Sequence, residues 1–344
     1  MIENLVRQNI LRLAPYSCAR NEFKGGNNET VFIDANESPF GNVNRYPDPL
    51  QLEVKRKLAG IKKVPVANIF LGNGSDEAID LIYRVFCEPR KDNVVTLSPS
   101  YGMYEVCADI NDVECRKVTL NPDYSFTADN VLAATDSNTK AIFLCSPNNP
   151  TGNVLPPAEV KRVLDGFSGI TVIDEAYIDF CPNASWRKAL PLYPRLVILS
   201  TFSKAWAAAG LRLGMAFASE EIISYFNKVK YPYNVNMLTQ KRALEILGDM
   251  QRVDNDVVKI LEERRRMAAS LQQLPMVEKV YPSQANFLLV KVKDATATYN
   301  YLAENNVIVR NRNNVTLCQG CLRITIGSQK ENTILLSLLR QAKL

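Results

Sequence analysis

The chain has no histidine among its 344 residues. That removes Ser-His-Asp hydrolysis, histidine-ligated metal chemistry and proton transfer by imidazole. Lysine, tyrosine or a carboxylate must move protons in any enzyme built from it. Long apolar runs are missing too, and none approaches the ~20 residues of a membrane span. The apolar residues Ile2, Leu5, Val6, Ile10, Leu11 and Leu13 are interrupted by Glu3, Arg7 and Arg12, the pattern of an amphipathic helix rather than of a secretory leader. We therefore expect a cytoplasmic protein with no membrane partner. Charge of one sign is scarce: the net charge of +5 is small for this length. The densest basic run, Glu262-Glu-Arg-Arg-Arg266, has acids beside it in a helical pattern, so a solvated helix face explains it and no nucleic acid is expected. Most of the eight cysteines are scattered through apolar segments, as at Cys87, Cys107 and Cys145. Cys318-Gln-Gly-Cys321 has metal-like spacing but no second close pair to complete a zinc site, so no metal is expected. We see no internal repeat and no low-complexity segment; Gly25-Gly-Asn-Asn28 is a short loop in an N-terminal arm.

Hydrophobic content of 47% and charged content of 22% are those of an ordinary globular protein, and the length favours two domains over one core. Between about residues 70 and 215, short apolar runs alternate with helical patterns, the mark of parallel α/β architecture. Asn93–Leu97, Ala141–Cys145, Ile170–Ile173 and Leu196–Leu199 read as fully buried strands. Each runs into polar or turn residues: Ser98-Pro-Ser-Tyr101, Ser146-Pro-Asn-Asn-Pro-Thr-Gly152, Asp174-Glu-Ala-Tyr177 and Thr201-Phe-Ser-Lys204. Ligands of open α/β sheets bind beyond the carboxyl ends of the strands, so these four ends predict one site. After about residue 216 come charged helical segments, roughly 219–230 and 237–273, two strand-like runs at 286–292 and 321–326, and a closing helix at about 329–342. We expect an N-terminal arm over 1–36, a large α/β domain with a mostly parallel sheet over 37–230, and a smaller α+β domain over 231–344.

Lys204 follows the buried run at 196–199, with Thr201 and Ser203 before it and Arg212 eight residues later. A lysine at a strand end loses hydration, which makes its neutral amine accessible. Hydroxyls and an arginine beside an imine-forming amine describe a seat for pyridoxal phosphate; a surface lysine in a helix-starting loop is the plainer alternative. Leu71-Gly-Asn-Gly-Ser-Asp-Glu77 runs into a helix, where Ser75 and Asp76 sit at free amides and the positive end of the dipole. This serves a phosphate or a simple cap equally well. It is not a G-x-G-x-x-G fingerprint, which weakens a dinucleotide reading. Asp174 ends a buried strand, where an unpaired carboxylate is costly; a protonated pyridine nitrogen would supply its cation. Asn149 and Tyr177 could bond the ring oxygen and Tyr101 could stack on the ring, although core filling is the commoner fate of a tyrosine.

The order Gly74-Ser-Asp-Glu77, Tyr101, Asn149-Pro-Thr-Gly152, Asp174-x-x-Tyr177, Ser203-Lys204 and Arg212 resembles the fold-type I pyridoxal-phosphate aminotransferases. Within them the chain is similar, nearly end to end, to the histidinol-phosphate aminotransferase family. The stretches that carry this are Arg12-Leu-Ala-Pro-Tyr16, Asp34-Ala-Asn-Glu-Ser-Pro-Phe-Gly41, Asn44-Arg-Tyr-Pro-Asp-Pro49, Tyr101-Gly-Met-Tyr104 and Leu322-Arg-Ile-Thr-Ile-Gly327. The resemblance implies an aspartate-aminotransferase-like fold and a ping-pong exchange of the amino group between histidinol phosphate and glutamate, with imidazole acetol phosphate and 2-oxoglutarate as the keto partners. It implies that Lys204 holds the cofactor as an imine and shuttles the proton, and that Asp174 pairs with the ring nitrogen. Asn149 and Tyr177 would bind the ring oxygen, and Tyr101 would stack on the ring. Ser75, Asp76, Thr201, Ser203 and Arg212 would hold the phosphate, joined by Tyr46 from the second subunit of a homodimer. Arg323 and Arg310 would take the acidic group of the substrate, and Tyr16, Asn36 and Glu37 would cover its imidazole end. Trp206, where the family often has phenylalanine, and Asp34, where it often has asparagine, depart from the pattern beside the motifs. A threonine-phosphate decarboxylase or an aromatic aminotransferase on the same scaffold is the alternative. A cofactor-binding regulator is disfavoured because about 35 residues before the first motif leave no room for a helix-turn-helix module.

Overall fold

The computed structural model describes residues 2–17 and 30–342, so the loop expected at Gly25–Asn28 lies outside the described residues. The strands of the first sheet are β1 (Ile69–Asn73), β2 (Asn93–Ser98), β3 (Glu114–Thr119), β4 (Thr139–Cys145), β5 (Ile170–Asp174), β6 (Leu196–Thr201) and β7 (Leu213–Phe217). They lie in the order β1-β7-β6-β5-β4-β2-β3. From β3 to β6 every neighbour is parallel; β7 runs antiparallel to both β6 and β1. Helices cover both faces. Val95, Ile142, Ile173 and Ile198 fill one core, while Val94, Phe143, Val172 and Val197 fill the other. Burial on two sides is why these strands read as unbroken apolar runs. β3 escaped that reading because it is an edge strand with largely solvent-facing residues (Glu114-Cys-Arg-Lys-Val-Thr119).

The second sheet is antiparallel, ordered β10-β11-β9-β8, from β8 (Val277–Val280), β9 (Phe287–Val292), β10 (Arg310–Asn311) and β11 (Cys321–Thr325). Leu288, Val290, Leu322 and Ile324 pack on Met267, Leu271, Leu335 and Leu339 of the covering helices. Two expectations about helices need correction. The stretch at 237–273 is two helices, Met237–Leu247 and Met250–Gln272, because the chain breaks at Gly248 and the Asp249 carboxylate accepts from Arg252 N at 3.3 Å to start the second. The N-terminal amphipathic pattern forms a 3₁₀ turn, Ile2–Leu5, and a short helix, Gln8–Arg12, which together bury Ile2, Val6 and Ile10.

Candidate active site

The ends of β2, β4, β5 and β6 meet at a cavity of about 950 Å³, closed on its far side by β10 and β11 of the second sheet. The phosphate-like end is built by backbone approach. Gly74, with φ +76°, turns the chain from β1 into the helix Ser75–Phe86, and its N–H donates to Arg212 O at 2.6 Å. A Cβ at Gly214 would sit 2.1 Å from the Gly74 carbonyl carbon and from Ser75 N, so β7 can pass here only as glycine. The first amides of the helix have no intrahelical acceptor and face the cavity with Ser75 and Asp76. The Asp76 carboxylate accepts from Tyr101 Oη at 3.0 Å and from Arg212 Nη2 at 3.3 Å. Thr201 Oγ1 donates to Ser203 Oγ at 3.0 Å and accepts from Ser203 N at 3.1 Å, which ties the two hydroxyls into one turn. Gly214→Ala is expected to destabilise the protein by about 3 kcal/mol and to weaken cofactor binding, since overpacked backbone must move the cradle itself. Urea denaturation and a cofactor titration on the same preparation check both effects.

The wall beneath Lys204 carries the carboxylate. Asp174, at the end of β5, is buried, and Tyr104 Oη donates to its Oδ2 at 2.7 Å while Ala176 N donates to Oδ1 at 3.0 Å. Burial outweighs those bonds and pushes the carboxyl up to about 6. Lys204 Nζ stands 5.6 Å from the centroid of the Tyr177 ring. Desolvation in the cavity, then the charges of Arg323 and Arg212, push its amine below the usual 10.5, against the pull of Asp174. Tyr177 is itself held edge-on to Phe287 of β9.

Arg323 of β11 and Arg310 of β10 are direct cross-strand partners, so one register places both guanidiniums at the same mouth. Arg323 Nη1 donates to Asn149 Oδ1, which links the substrate end to the β4 loop. The structure thus places twelve of the residues singled out from sequence around one cavity: Ser75, Asp76, Tyr101, Asn149, Asp174, Tyr177, Thr201, Ser203, Lys204, Arg212, Arg310 and Arg323. Four others lie outside that lining in the single chain. Tyr46 stacks on Tyr233 with centroids 4.3 Å apart. The Glu37 carboxylate accepts from Arg45 Nη1 and Tyr46 N, both at 2.7 Å. Asn36 has φ +54°, and Tyr16 is exposed. Two residues of the site were not singled out from sequence. Tyr104, which meets Asp174, lies three residues beyond Tyr101 in the first turn of the helix Met103–Ile110, and Arg312, in the cavity lining, follows β10 two residues after Arg310; nearness in sequence to residues already chosen was the available signal.

The class I and II aminotransferase family matches residues 18–339. A histidinol-phosphate aminotransferase of Parabacteroides distasonis is 56% identical over 344 residues, covering 100% of this chain and 99% of that protein. Among solved structures, a histidinol-phosphate aminotransferase of Sinorhizobium meliloti, in complex with pyridoxal-5'-phosphate, superposes with a TM-score of 0.79 at 23% identity, covering 87% of this chain and 83% of that one. An L-threonine-O-3-phosphate decarboxylase of Porphyromonas gingivalis superposes at 0.72 and 24% identity, over 87% of this chain and 90% of that one. Both chemistries therefore occur on this fold, and the fold alone does not choose between them. Identity over the whole length does: the chain belongs to the class I and II aminotransferases, in the histidinol-phosphate aminotransferase family.

Proposed function

We propose that this chain is a pyridoxal-phosphate-dependent transaminase of histidine biosynthesis, exchanging an amino group between L-histidinol phosphate and 2-oxoglutarate through one site used twice. The observation that carries the reading is the placement, in one cavity, of Lys204, the buried Asp174 and the Arg310–Arg323 pair. The residues fit the cofactor: the glycine-lined helix start with Arg212 and Ser203 suits a phosphate, and the buried Asp174 is a carboxylate in want of a cation. When bound, the cofactor supplies an electron sink for the negative charge left at the substrate α-carbon.

The chain's own residues do the rest. Arg212, Ser75, Ser203 and Thr201 hold the phosphate end, and Asp174 keeps the ring cationic by holding its proton. Tyr177 and Asn149 orient the ring oxygen, and Tyr101 covers the ring face. Lys204 Nζ anchors the group and moves the proton at the substrate α-carbon, a task for which a lowered pKa suits it. Arg323 and Arg310 receive either the carboxylate of glutamate or the phosphate of histidinol phosphate, since guanidinium forks match both. The working unit in this reading is a cytoplasmic homodimer, divided as arm 1–36, large domain 37–230 and small domain 231–344. Exposed Val31, Ile33, Phe40 and Val43 support a second copy packing over the end of the arm and the start of the large domain, from which Tyr46 would reach the neighbouring phosphate seat, with Tyr16, Asn36 and Glu37 over the imidazole.

Absorption spectra of the loaded protein test this. L-histidinol phosphate should convert the yellow form rapidly, and 2-oxoglutarate should restore it, whereas L-phenylalanine and threonine phosphate should act slowly. Release of carbon dioxide from threonine phosphate would replace the reading with a decarboxylase.

A further inference from the structure

Six cationic side chains line the cavity (Lys117, Lys204, Arg212, Arg310, Arg312 and Arg323), against three acids, Asp76, Glu105 and Asp174. Among the described residues each acid is already engaged: Asp76 by Tyr101 and Arg212, Asp174 by Tyr104, and Glu105 by Lys117. No lining carboxylate is left for Arg312. Its Nε is buried with no hydrogen-bond partner, and its backbone is fixed, N–H donating to Cys321 O at 2.9 Å beside β11. Arg312 directly follows the two-residue strand β10, in which Arg310 lies opposite Arg323, and all three arginines line the cavity. Burying an unsatisfied guanidinium donor beside two like charges is costly unless something anionic arrives. Desolvation and these two neighbours push the Arg312 guanidinium below its usual range, the mark of that cost.

We propose that Arg312 is a third guanidinium of the substrate's anion seat, and that it sets a preference for a phosphate monoester over a carboxylate. The inference rests on the proposed function and names its specificity residue. A carboxylate offers two oxygens and one charge, which the Arg323 fork satisfies. A phosphate monoester offers three oxygens and a charge of about −1.5 to −2 at neutral pH. With one Arg323 N–H committed to Asn149, the third oxygen needs another donor, and Arg312 Nε is a buried donor in the cavity lining without a partner.

The test uses the loaded enzyme and the variants Arg312→Gln and Arg312→Lys. Inorganic phosphate is first titrated as a competitor of the glutamate half-reaction. Arg312→Gln should raise its inhibition constant about 10-fold, and Arg312→Lys should recover part of the loss, because one charge-assisted bond is worth about 10-fold or more. In the half-reaction with L-histidinol phosphate, Arg312→Gln should raise KM at least about 5-fold more than it does for glutamate, with a smaller change in kcat. An unchanged phosphate inhibition constant overturns the proposal, as does an equal loss on both substrates accompanied by a fall in cofactor affinity, which would mark a structural arginine. Should the wild type ignore histidinol phosphate, the substrate reading falls while the phosphate titration still decides Arg312.

Discussion

Replacing Lys204 with alanine is expected to lower turnover by about 10⁴-fold or more while leaving the fold intact, since the side chain combines covalent anchoring with proton transfer. The reason is positional. Lys204 lies three residues beyond β6, on the turn tied by Thr201 and Ser203, and it projects into the cavity rather than into either core. Its removal opens no cavity in the packed interior and takes away a cation already placed beside Arg323 and Arg212. The variant should therefore melt within a few degrees of the parent. No histidine exists to take over the proton, and Tyr177, whose hydroxyl is pushed above its usual range by burial, is a poor base at neutral pH. Steady-state assay of amino transfer, with circular dichroism on the same sample, checks the two halves. Retained activity would remove Lys204 from the chemistry.

Asp174→Asn should lower turnover about 10³-fold and weaken cofactor binding, because a neutral amide cannot hold a proton on the ring nitrogen. Stability should move the other way. The folded-state carboxyl is raised from 3.8 to about 6, so the folded protein binds this proton more tightly than the unfolded chain. The associated stability is present below about pH 4 and is lost as pH rises through about 6. At neutral pH the cofactor-free parent thus carries the cost of a buried charge that the asparagine variant lacks, and the variant should show the higher Tm. Glu175, buried next door and pushed up to about 7, adds a component of the same sign in the next pH interval. Tyr104→Phe separates geometry from charge: it removes the donor to Oδ2 and should raise the carboxyl further, weakening cofactor binding most between about pH 6 and 7. Thermal scans of cofactor-free protein across this range, with cofactor titrations, test both variants. A cofactor affinity of Asp174→Asn equal to the parent's would end this account of Asp174.

The sequence by itself determined the parallel α/β character, the four strand ends that face the ligand, and the separate character of the C-terminal region. Strands β2, β4, β5 and β6 are buried on both faces, so each is a continuous apolar run whose end is marked by a sudden polar residue. That local contrast also located Lys204, Asp174 and Asn149, and the absence of histidine narrowed the chemistry before any fold was known. The tertiary structure alone decided what those residues meet. Tyr104 reaches Asp174 across seventy residues of chain, and Gly214 makes room for Gly74 across more than a hundred. Register decided that Arg310 faces Arg323, and tertiary packing left the Arg312 Nε buried without a partner in the lining of the same cavity. Periodicity records whether a residue is buried and which face of its own element it occupies; it carries no record of which distant element covers that face, and long-range pairing is where charge, distance and specificity are set.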